Sequence, residues 1–582
     1  MTRRSRWPTL LGLTLLILLG GFLRLYHLGE RTVTHVEMYV PGIRLPHGIS
    51  YPEERLSLLK VATSTLNSDT HPPAFYLLMW FWTKLLGTST WSMRLPSALL
   101  GTVCIPLVLW LGLLTRQQAA GWIAAALVAV NGHLIFWSQI ARMFTLACCL
   151  GLLATILLLK LAHQARASMA LRFLYVAIML LGLSTHIFFW LILAAHMFWT
   201  QVSARIQKLP LPGAARLQFL VLILGSPLLA STAYQNGNTL AALSSNVLVY
   251  VREYLQFGFV FPLMGYSSGV FPDHGPIPLT DDPHLSSLRW LFFLLCVILF
   301  VLGALSIRAP EGTPLTDASG PSAKGWLVAA VVAALGILCF VYVAKTYARP
   351  PNPNLRTSEV MIVLPFLFAL AAIVLQRRWG WLIARRSLPF IRLAGDQALV
   401  LILAVVPFAM LAVVSLAKPI FNARGLIIVV PYLLLVLAAG IARLFRYPVL
   451  AVAVLLAIGV ADYSGLRAYS HVSAGRADYK AFAAALVPQI ESTDLVFLTP
   501  EFFSTPLFYY MTSDWNQIVG RNYEAASRDH PHARIWALWF SNYEPEASPS
   551  ITKALADYHV VRSIDVPGGQ ASLYVPNNHN AN

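Results

Sequence analysis

Residues 7–28 read WPTLLGLTLLILLGGFLRLYHL, residues 34–42 THVEMYVPG and residues 68–73 SDTHPP. The first of these runs is long and apolar enough to cross the roughly 30 Å hydrocarbon core of a bilayer as one helix. Arg3, Arg4 and Arg6 precede or open it. No small-residue cleavage site follows, so it reads as an uncleaved first helix and not as a removed signal peptide. The polar stretch Thr34–Pro73 then lies between two apolar segments and is crowded with ionisable groups. A polytopic membrane protein must hold working carboxylates where water can reach them, and this first loop, residues 29–72, reads as half of an active site.

The rest of the chain fits the same class. Of 582 residues, 57% are hydrophobic and only 12% are charged, so apolar segments of membrane length must recur. Further spans are predicted at about 73–87, 95–114, 119–137, 143–161, 171–184, 186–203, 216–232, 287–307, 325–344, 358–376, 396–416, 424–442 and 447–462. The expected fold is a polytopic α-helical membrane domain over 1–463 with about 12–14 transmembrane helices, followed by a small soluble α/β domain over 464–582. Arg205 with Lys208 and Arg216, Arg377 and Arg378 with Arg385, Arg386 and Arg392, and Arg443 with Arg446 form three basic connections. With the N-terminal RRSR they are assigned to the cytoplasm, which turns the first loop, 233–286, 345–357 and the C-terminal tail outward. The net charge of +17 then reflects topology and contact with anionic lipids. The basic residues are dispersed between spans and give no support to nucleic-acid binding.

Cys104, Cys148, Cys149, Cys296 and Cys339 all fall inside predicted spans, which makes them small apolar packing residues and not a disulfide framework or a thiolate zinc site. In the tail, DLVFLTP at 494–500, RIWALWF at 534–540 and VVRSIDVPGGQASLYV at 560–575 read as strands, the last as a hairpin around Gly568 and Gly569. Asp478–Ile490 and a stretch from near Thr505 read as helices. The tail has no nucleophile elbow, phosphate loop or metal motif and is expected to serve as a lid or acceptor-positioning domain.

Glu37 follows the first helix closely and adjoins His35. Partial desolvation at the membrane surface would suit it to act as a general base, whereas an ordinary solvated loop glutamate is the plain alternative. Asp69 and His71 precede Pro72 and Pro73, which fix an extended backbone there; Asp69 also fits a simple N-terminal cap. FWSQIARMF puts Gln139 and Arg142 at a span end, and STHIFF puts His186 at another. An arginine at the bilayer edge either snorkels or meets an anion, and a single histidine at a helix junction is commonly structural. Lys345, Arg349 and Arg356 lie in KTYARPPNPNLR, and Arg424 follows Phe421–Ala423 at a further boundary. These cations can surround a phosphate. An acidic loop facing cationic span ends suits sugar transfer from a lipid phosphate to a hydroxyl: the carboxylate takes the proton and the cations stabilise the departing phosphate.

LRLYHLGERTVTHVEMYVPG, DTHPPAFYLLMWFWTKLLGTSTWSMRLPSALLG, FWSQIARMFTLACCLGLLA and STHIFF follow one another as in bacterial membrane glycosyltransferases related to dolichyl-phosphate-mannose:protein mannosyltransferases. The chain resembles these GT-C fold enzymes over about 22–200 and more loosely after about 415. The resemblance implies a polyprenyl-phosphate-linked sugar donor, an extracytoplasmic glycan, lipid or protein acceptor, inversion at the anomeric carbon and a place in a bacterial plasma (inner) membrane. It also implies a catalytic acidic residue in the first outward loop. The family's Asp-Glu pair is Val36-Glu37 here, and the acidic residue of its Ser-Gln-x-Ala-Arg stretch is replaced by Ile140, while Gln139, Ala141 and Arg142 match. His71, Pro72, Pro73 and Arg94–Ser97 match without change.

Three functions remain open at this point. In the first, a transferase uses Glu37 as base or acceptor-orienting carboxylate, Asp69 and His71 as supporting groups, and Arg142 with Lys345, Arg349 or Arg424 at the phosphate, with His35, Gln139 and His186 lining the substrate. The second is a transporter or flippase, against which stand the few ionisable residues within spans and the lack of an internal repeat. The third is a glycolipid-binding relative without turnover. His35, Glu37, Asp69 and His71 can together ligate a divalent ion, although no compact ligand motif is present, and no other cofactor is called for.

Overall fold

The computed structural model describes residues 6–43, 57–67, 71–164, 167–207, 212–239, 283–307, 395–417, 425–470, 478–499, 504–511, 518–519, 523–539, 549–566 and 569–577. Its membrane region comprises helices α1 (Arg6–Leu25), α2 (Leu58–Asn67), α3 (Ala74–Leu86), α4 (Thr90–Leu114), α5 (Gln118–Val130), α6 (Gly132–Ser138), α7 (Phe144–His163), α8 (Met169–Leu183), α9 (Phe189–Gln207), α10 (Pro212–Thr239), α11 (Pro283–Ala304), α12 (Asp396–Ala417), α13 (Val430–Leu444) and α14 (Pro448–Ser470). Among the described residues four helices are long and apolar enough to cross a membrane, or five if the α5–α6 pair, bent by 53°, is one span; further apolar helices are shorter. The spans expected at 325–344 and 358–376 lie outside the described residues. The apolar window of α1 is only 11% buried, whereas those of α7 and of the span Gly425–Leu444, a 3-10 turn continued by α13, are 83% and 94% buried. The first helix therefore lines the lipid-facing rim and the latter two form the centre.

The helix ends sort into two levels. On one, Gln397 Nε2 donates to the Thr115 carbonyl at 3.1 Å, His163 meets Asp396 at 2.7 Å, Trp199 Nε1 donates to the Gly395 carbonyl at 3.1 Å and Arg443 donates to the Leu302 carbonyl at 3.4 Å. On the other lie the end of α1, the first loop, the start of α4, the α6–α7 and α8–α9 connections and the 3-10 turn Gly425–Val429, joined by the contacts described below. Arg443 thus lies on the level opposite the first loop, as its place among the basic connections requires. Gly303 and Gly440 let α11 and α13 touch backbone to backbone: a Cβ on either would lie 1.9 Å from a carbonyl oxygen of the other helix.

One predicted span does not cross. Both ends of α3 sit on the loop level: Ala74 N–H donates to the Ser184 carbonyl at 2.8 Å, and Thr83 Oγ1 to the Pro41 carbonyl at 2.9 Å. The reason is length, since 13 residues rising about 1.5 Å each give about 20 Å, well short of the hydrocarbon core. Gly87, at φ 73°, stops the helix, and the chain turns directly into α4 under the Ser89 cap, whose side chain accepts from Ser92 N–H. One side of α3 packs inward through Phe75, Tyr76 and Met79, while Leu78, Phe81, Leu85 and Leu86 are exposed. Lys84 extends over the Trp80 ring at 4.0 Å, as expected of a helix lying in a membrane interface.

The C-terminal domain is a five-stranded mixed sheet in the order β2-β1-β3-β5-β4, built from β1 (Leu495–Thr499), β2 (Ile518–Val519), β3 (Ile535–Trp539), β4 (Tyr558–Val566) and β5 (Gly569–Pro576). β1 runs parallel to β2 and β3, and β4–β5 is the expected hairpin, antiparallel to itself and to β3. Alternate residues of β1 serve two cores. Val496 and Leu498 pack with Tyr479, Phe482 and Leu486 of α15 (Tyr479–Leu486) and with Leu507 and Phe508 of α16 (Ser504–Tyr510). Leu495 and Phe497 pack with Tyr523, Ile551 and Leu555 on the other face. Helices on both faces explain why the strands read as nearly continuous apolar runs. The sequence reading missed the short β2 and the helices Tyr523–Asp529 and Pro549–Ala554, and α14 continues to Ser470, past the boundary expected near 464.

Candidate active site

The segment Thr34–Tyr39 forms a 3-10 turn, His35–Tyr39, in which the Glu37 side chain reaches back to Thr34: its Oε2 accepts the Thr34 N–H at 2.9 Å. This is a capping-box contact, set by spacing alone. The same carboxylate meets Arg94, one turn into α4. Arg94 Nε donates to Oε1 and Nη2 to Oε2, both at 2.7 Å, and the Ala141 N–H donates to Oε1 at 3.0 Å. Arg94 completes its set on the carbonyls of Leu28 at 3.0 Å, Arg31 at 2.9 Å and Thr32 at 2.8 Å, so all five guanidinium N–H donors are matched. Both side chains are 0% exposed. A buried pair is tolerated only when its remaining hydrogen-bonding capacity is met, and here the loop backbone and the α6–α7 connection meet it.

This corrects the setting expected for Glu37. It is neither solvated nor partly desolvated with an open face, but enclosed by a bidentate arginine and backbone N–H groups, each of which favours the ionised form. Such a carboxylate is also a poor ligand for a cation. Among the described residues no group of three His, Cys, Asp or Glu side chains comes together; the His35 side chain and Asp69, two of the four ligands considered, lie outside them.

Arg142 lies beside this pair. Its Nη1 donates to the Val36 carbonyl at 3.3 Å and the Tyr76 hydroxyl at 3.0 Å, and Nη2 is 3.2 Å from His71 Nε2. The guanidinium carbon stands 5.6 Å from the centroid of the Tyr39 ring, a cation–π distance. The arginine is placed by a break in the membrane. α5 ends at Val130 and α6 restarts at once, its first turn capped by Asn131 Oδ1 on the Leu134 N–H at 2.9 Å. The carbonyls left free where α5 ends would be costly in an apolar setting. Arg24 covers them, with Nη1 on Ala129 at 2.9 Å and Nη2 on Val128 at 2.8 Å. Gln139 Nε2 in turn lies 3.1, 3.2 and 2.8 Å from the Leu23, Arg24 and Tyr26 carbonyls, which gives it a capping role at the end of α1.

His186 is buried between Phe144 and Phe188, with ring centroids 5.6 and 5.3 Å away, and its Nδ1 accepts the Phe188 N–H at 3.1 Å. It faces Gly425, where a Cβ would lie 3.0 Å from its ring. Asp69, Lys345, Arg349 and Arg424 lie outside the described residues, as does the side chain of His35. The structure thus unites Glu37, His71, Gln139 and Arg142 around one junction. It adds Arg94 and Tyr76, which sequence reading did not select. The signal for Arg94 was a lone arginine in the first turns of an apolar helix, a position that demands a buried counter-charge.

Cys104, Cys148, Cys149 and Cys296 are free and buried, consistent with packing roles; Cys339 lies outside the described residues.

No protein-family model and no curated protein matches the chain. Among solved structures it is similar to the oligosaccharyltransferase AglB of Archaeoglobus fulgidus in complex with an inhibitory peptide and a dolichol-phosphate, at 11% identity and a TM-score of 0.46 over 98% of this chain and 74% of that one. It is also similar to ArnT of Cupriavidus metallidurans bound to undecaprenyl phosphate, at 14% identity and a TM-score of 0.41 over 98% of both chains. A third likeness is to the arabinofuranosyltransferase AftD from Mycobacteria, at 13% identity and a TM-score of 0.38, where the chain spans 40% of the other's length. At these scores the likeness concerns the general course of the chain and decides nothing about the reaction.

Proposed function

We propose that the protein is a membrane glycosyltransferase that moves a sugar from a polyprenyl-phosphate-linked donor to an acceptor on the outer face of the membrane. The observation that carries this reading is the convergence at Arg142 of the segments on which the sequence resemblance rests: THVE through the Val36 carbonyl, THPP through His71, AFY through Tyr76 and RLPS through Ser97, whose Oγ donates to the Arg142 carbonyl at 3.1 Å. Arg142, which meets the segments of the resemblance through Val36, His71 and Tyr76, is the residue we assign to the donor phosphate.

In this account an acceptor oxygen attacks the anomeric carbon while the bond from that carbon to the phosphate oxygen breaks. The electron pair leaves with the phosphate, whose developing charge Arg142 stabilises, and attack from the opposite side inverts the centre. Glu37 is the anion that fixes Arg94, the first loop and the Ala141–Arg142 backbone. The acceptor's proton is assigned to Asp69, the carboxylate two residues from His71. We read the site as facing outward because Arg443, one of the basic residues that the sequence assigns to the cytoplasm, lies at the level opposite the first loop.

The phosphate assignment is tested by native mass spectrometry of the purified protein with a polyprenyl phosphate. Arg142→Ala is expected to weaken binding about tenfold or more, as loss of a charge-assisted contact implies. Unchanged affinity in a folded variant would remove Arg142 from the phosphate.

A further inference from the structure

The C-terminal domain reaches the site through two consecutive side chains. In α16, Leu507 and Phe508 are buried in the domain's own core, which turns Tyr509 and Tyr510 toward the membrane region, where both pack against its core. Their rings stand perpendicular at a centroid distance of 5.1 Å. The Tyr510 hydroxyl accepts the Val33 N–H at 2.8 Å, and the Tyr509 hydroxyl donates to the Thr88 carbonyl at 2.8 Å. These two points lie on the two segments that carry the buried ion pair. Val33 sits in a run where Arg31 and Thr32 give their carbonyls to Arg94 and Thr34 gives its N–H to Glu37. Thr88 sits in the turn that opens α4, a short way before Arg94.

We infer that Tyr509 and Tyr510 are positioning residues, a latch by which the C-terminal domain holds the first loop and the start of α4 in the register that the Glu37–Arg94 pair needs. The inference rests on the transferase reading for its consequence in turnover, but not for the latch itself. Four successive backbone positions, 31 to 34, are fixed by three side chains, Arg94 at 31 and 32, Tyr510 at 33 and Glu37 at 34, and of these only Tyr510 comes from the C-terminal domain. Removing it leaves the Val33 N–H buried without its acceptor. Burial pushes both phenols above their ordinary titration range, so the hydroxyls keep their protons at neutral pH. The domain then acts on the site as more than a cover: docking and undocking would set the order of the catalytic loop.

The test uses the full chain in nanodiscs. Hydrogen exchange is followed in the peptide covering residues 28–40, beside peptides from β1 and β3 and steady-state release of polyprenyl phosphate. Tyr510→Phe keeps the ring and loses only the hydroxyl. It is expected to speed exchange in 28–40 by about 3- to 10-fold, the effect of one net hydrogen bond, with β1 and β3 unchanged. Turnover should fall in kcat while the donor KM holds, because Arg142 keeps Tyr76 and His71. Tyr509→Phe/Tyr510→Phe together should loosen the segment further. Unchanged exchange in both variants overturns the latch, whatever the turnover. Faster exchange in a protein whose wild type releases no polyprenyl phosphate from any donor supports the latch and removes the transferase reading.

Discussion

Glu37 shows how far one residue can be read from sequence. Its position after the first helix and beside His35 singled it out, but its partner lies 57 residues away, and no local pattern announces a contact of that separation. The same limit holds for Gln139, whose carbonyl partners on α1 are more than a hundred residues distant, and for Arg94, which matched a motif without disclosing its role. The result is a carboxylate whose energetics are those of a buried pair. Removing either member strands the other, so Glu37→Gln and Arg94→Met are each expected to lower stability by about 3–5 kcal/mol. Glu37→Leu combined with Arg94→Met, which buries no unmatched charge, should recover much of that loss. Thermal unfolding in detergent measures both. Single variants as stable as the wild type would show that the pair is not closed in the working protein.

At the scale of elements, hydrophobic periodicity located the helices of the membrane region other than α2, which lies in the stretch read as a loop, because lipid and core both demand apolar residues. It could not separate a span from a helix lying in the interface. α3 is apolar enough for either, and only its length and the placing of both its ends decide. Likewise the run 119–137 read as one span, whereas the chain breaks at Val130–Asn131 and relies on Arg24 to cover the exposed carbonyls. That break delivers Gln139 and Arg142 to the site. The assignment of α3 is tested with cysteines at Ala74 and Lys84 in a chain whose native cysteines are replaced. In sealed proteoliposomes both should react with an impermeant maleimide from the same side. Labelling of the two from opposite sides would restore α3 as a span.

Across the whole molecule, a membrane region and an α/β domain were legible from composition alone, since charges and turn residues return where apolar runs shrink to strand length. What composition could not convey is that the two parts meet at the first loop. The contact has a pH signature. Tyr509 and Tyr510 titrate above the ordinary value of 10.0 in the folded protein, chiefly through burial. A pKa raised on folding contributes stability that is complete below the unfolded value and is lost as pH rises through the folded one. The stability difference between wild type and Tyr509→Phe/Tyr510→Phe should therefore be flat from pH 7 to about 10 and shrink above it, as thermal unfolding across that range would show. A difference that shrinks between pH 7 and 9 would contradict the buried, protonated latch. The central claim is the reaction itself, and release of free polyprenyl phosphate from a panel of lipid-phosphate sugars by the purified protein tests it most directly. The account predicts release with at least one donor, abolished by Arg142→Ala and by Asp69→Asn in folded protein. Donor binding with no release, even when candidate acceptors are supplied, would contradict it.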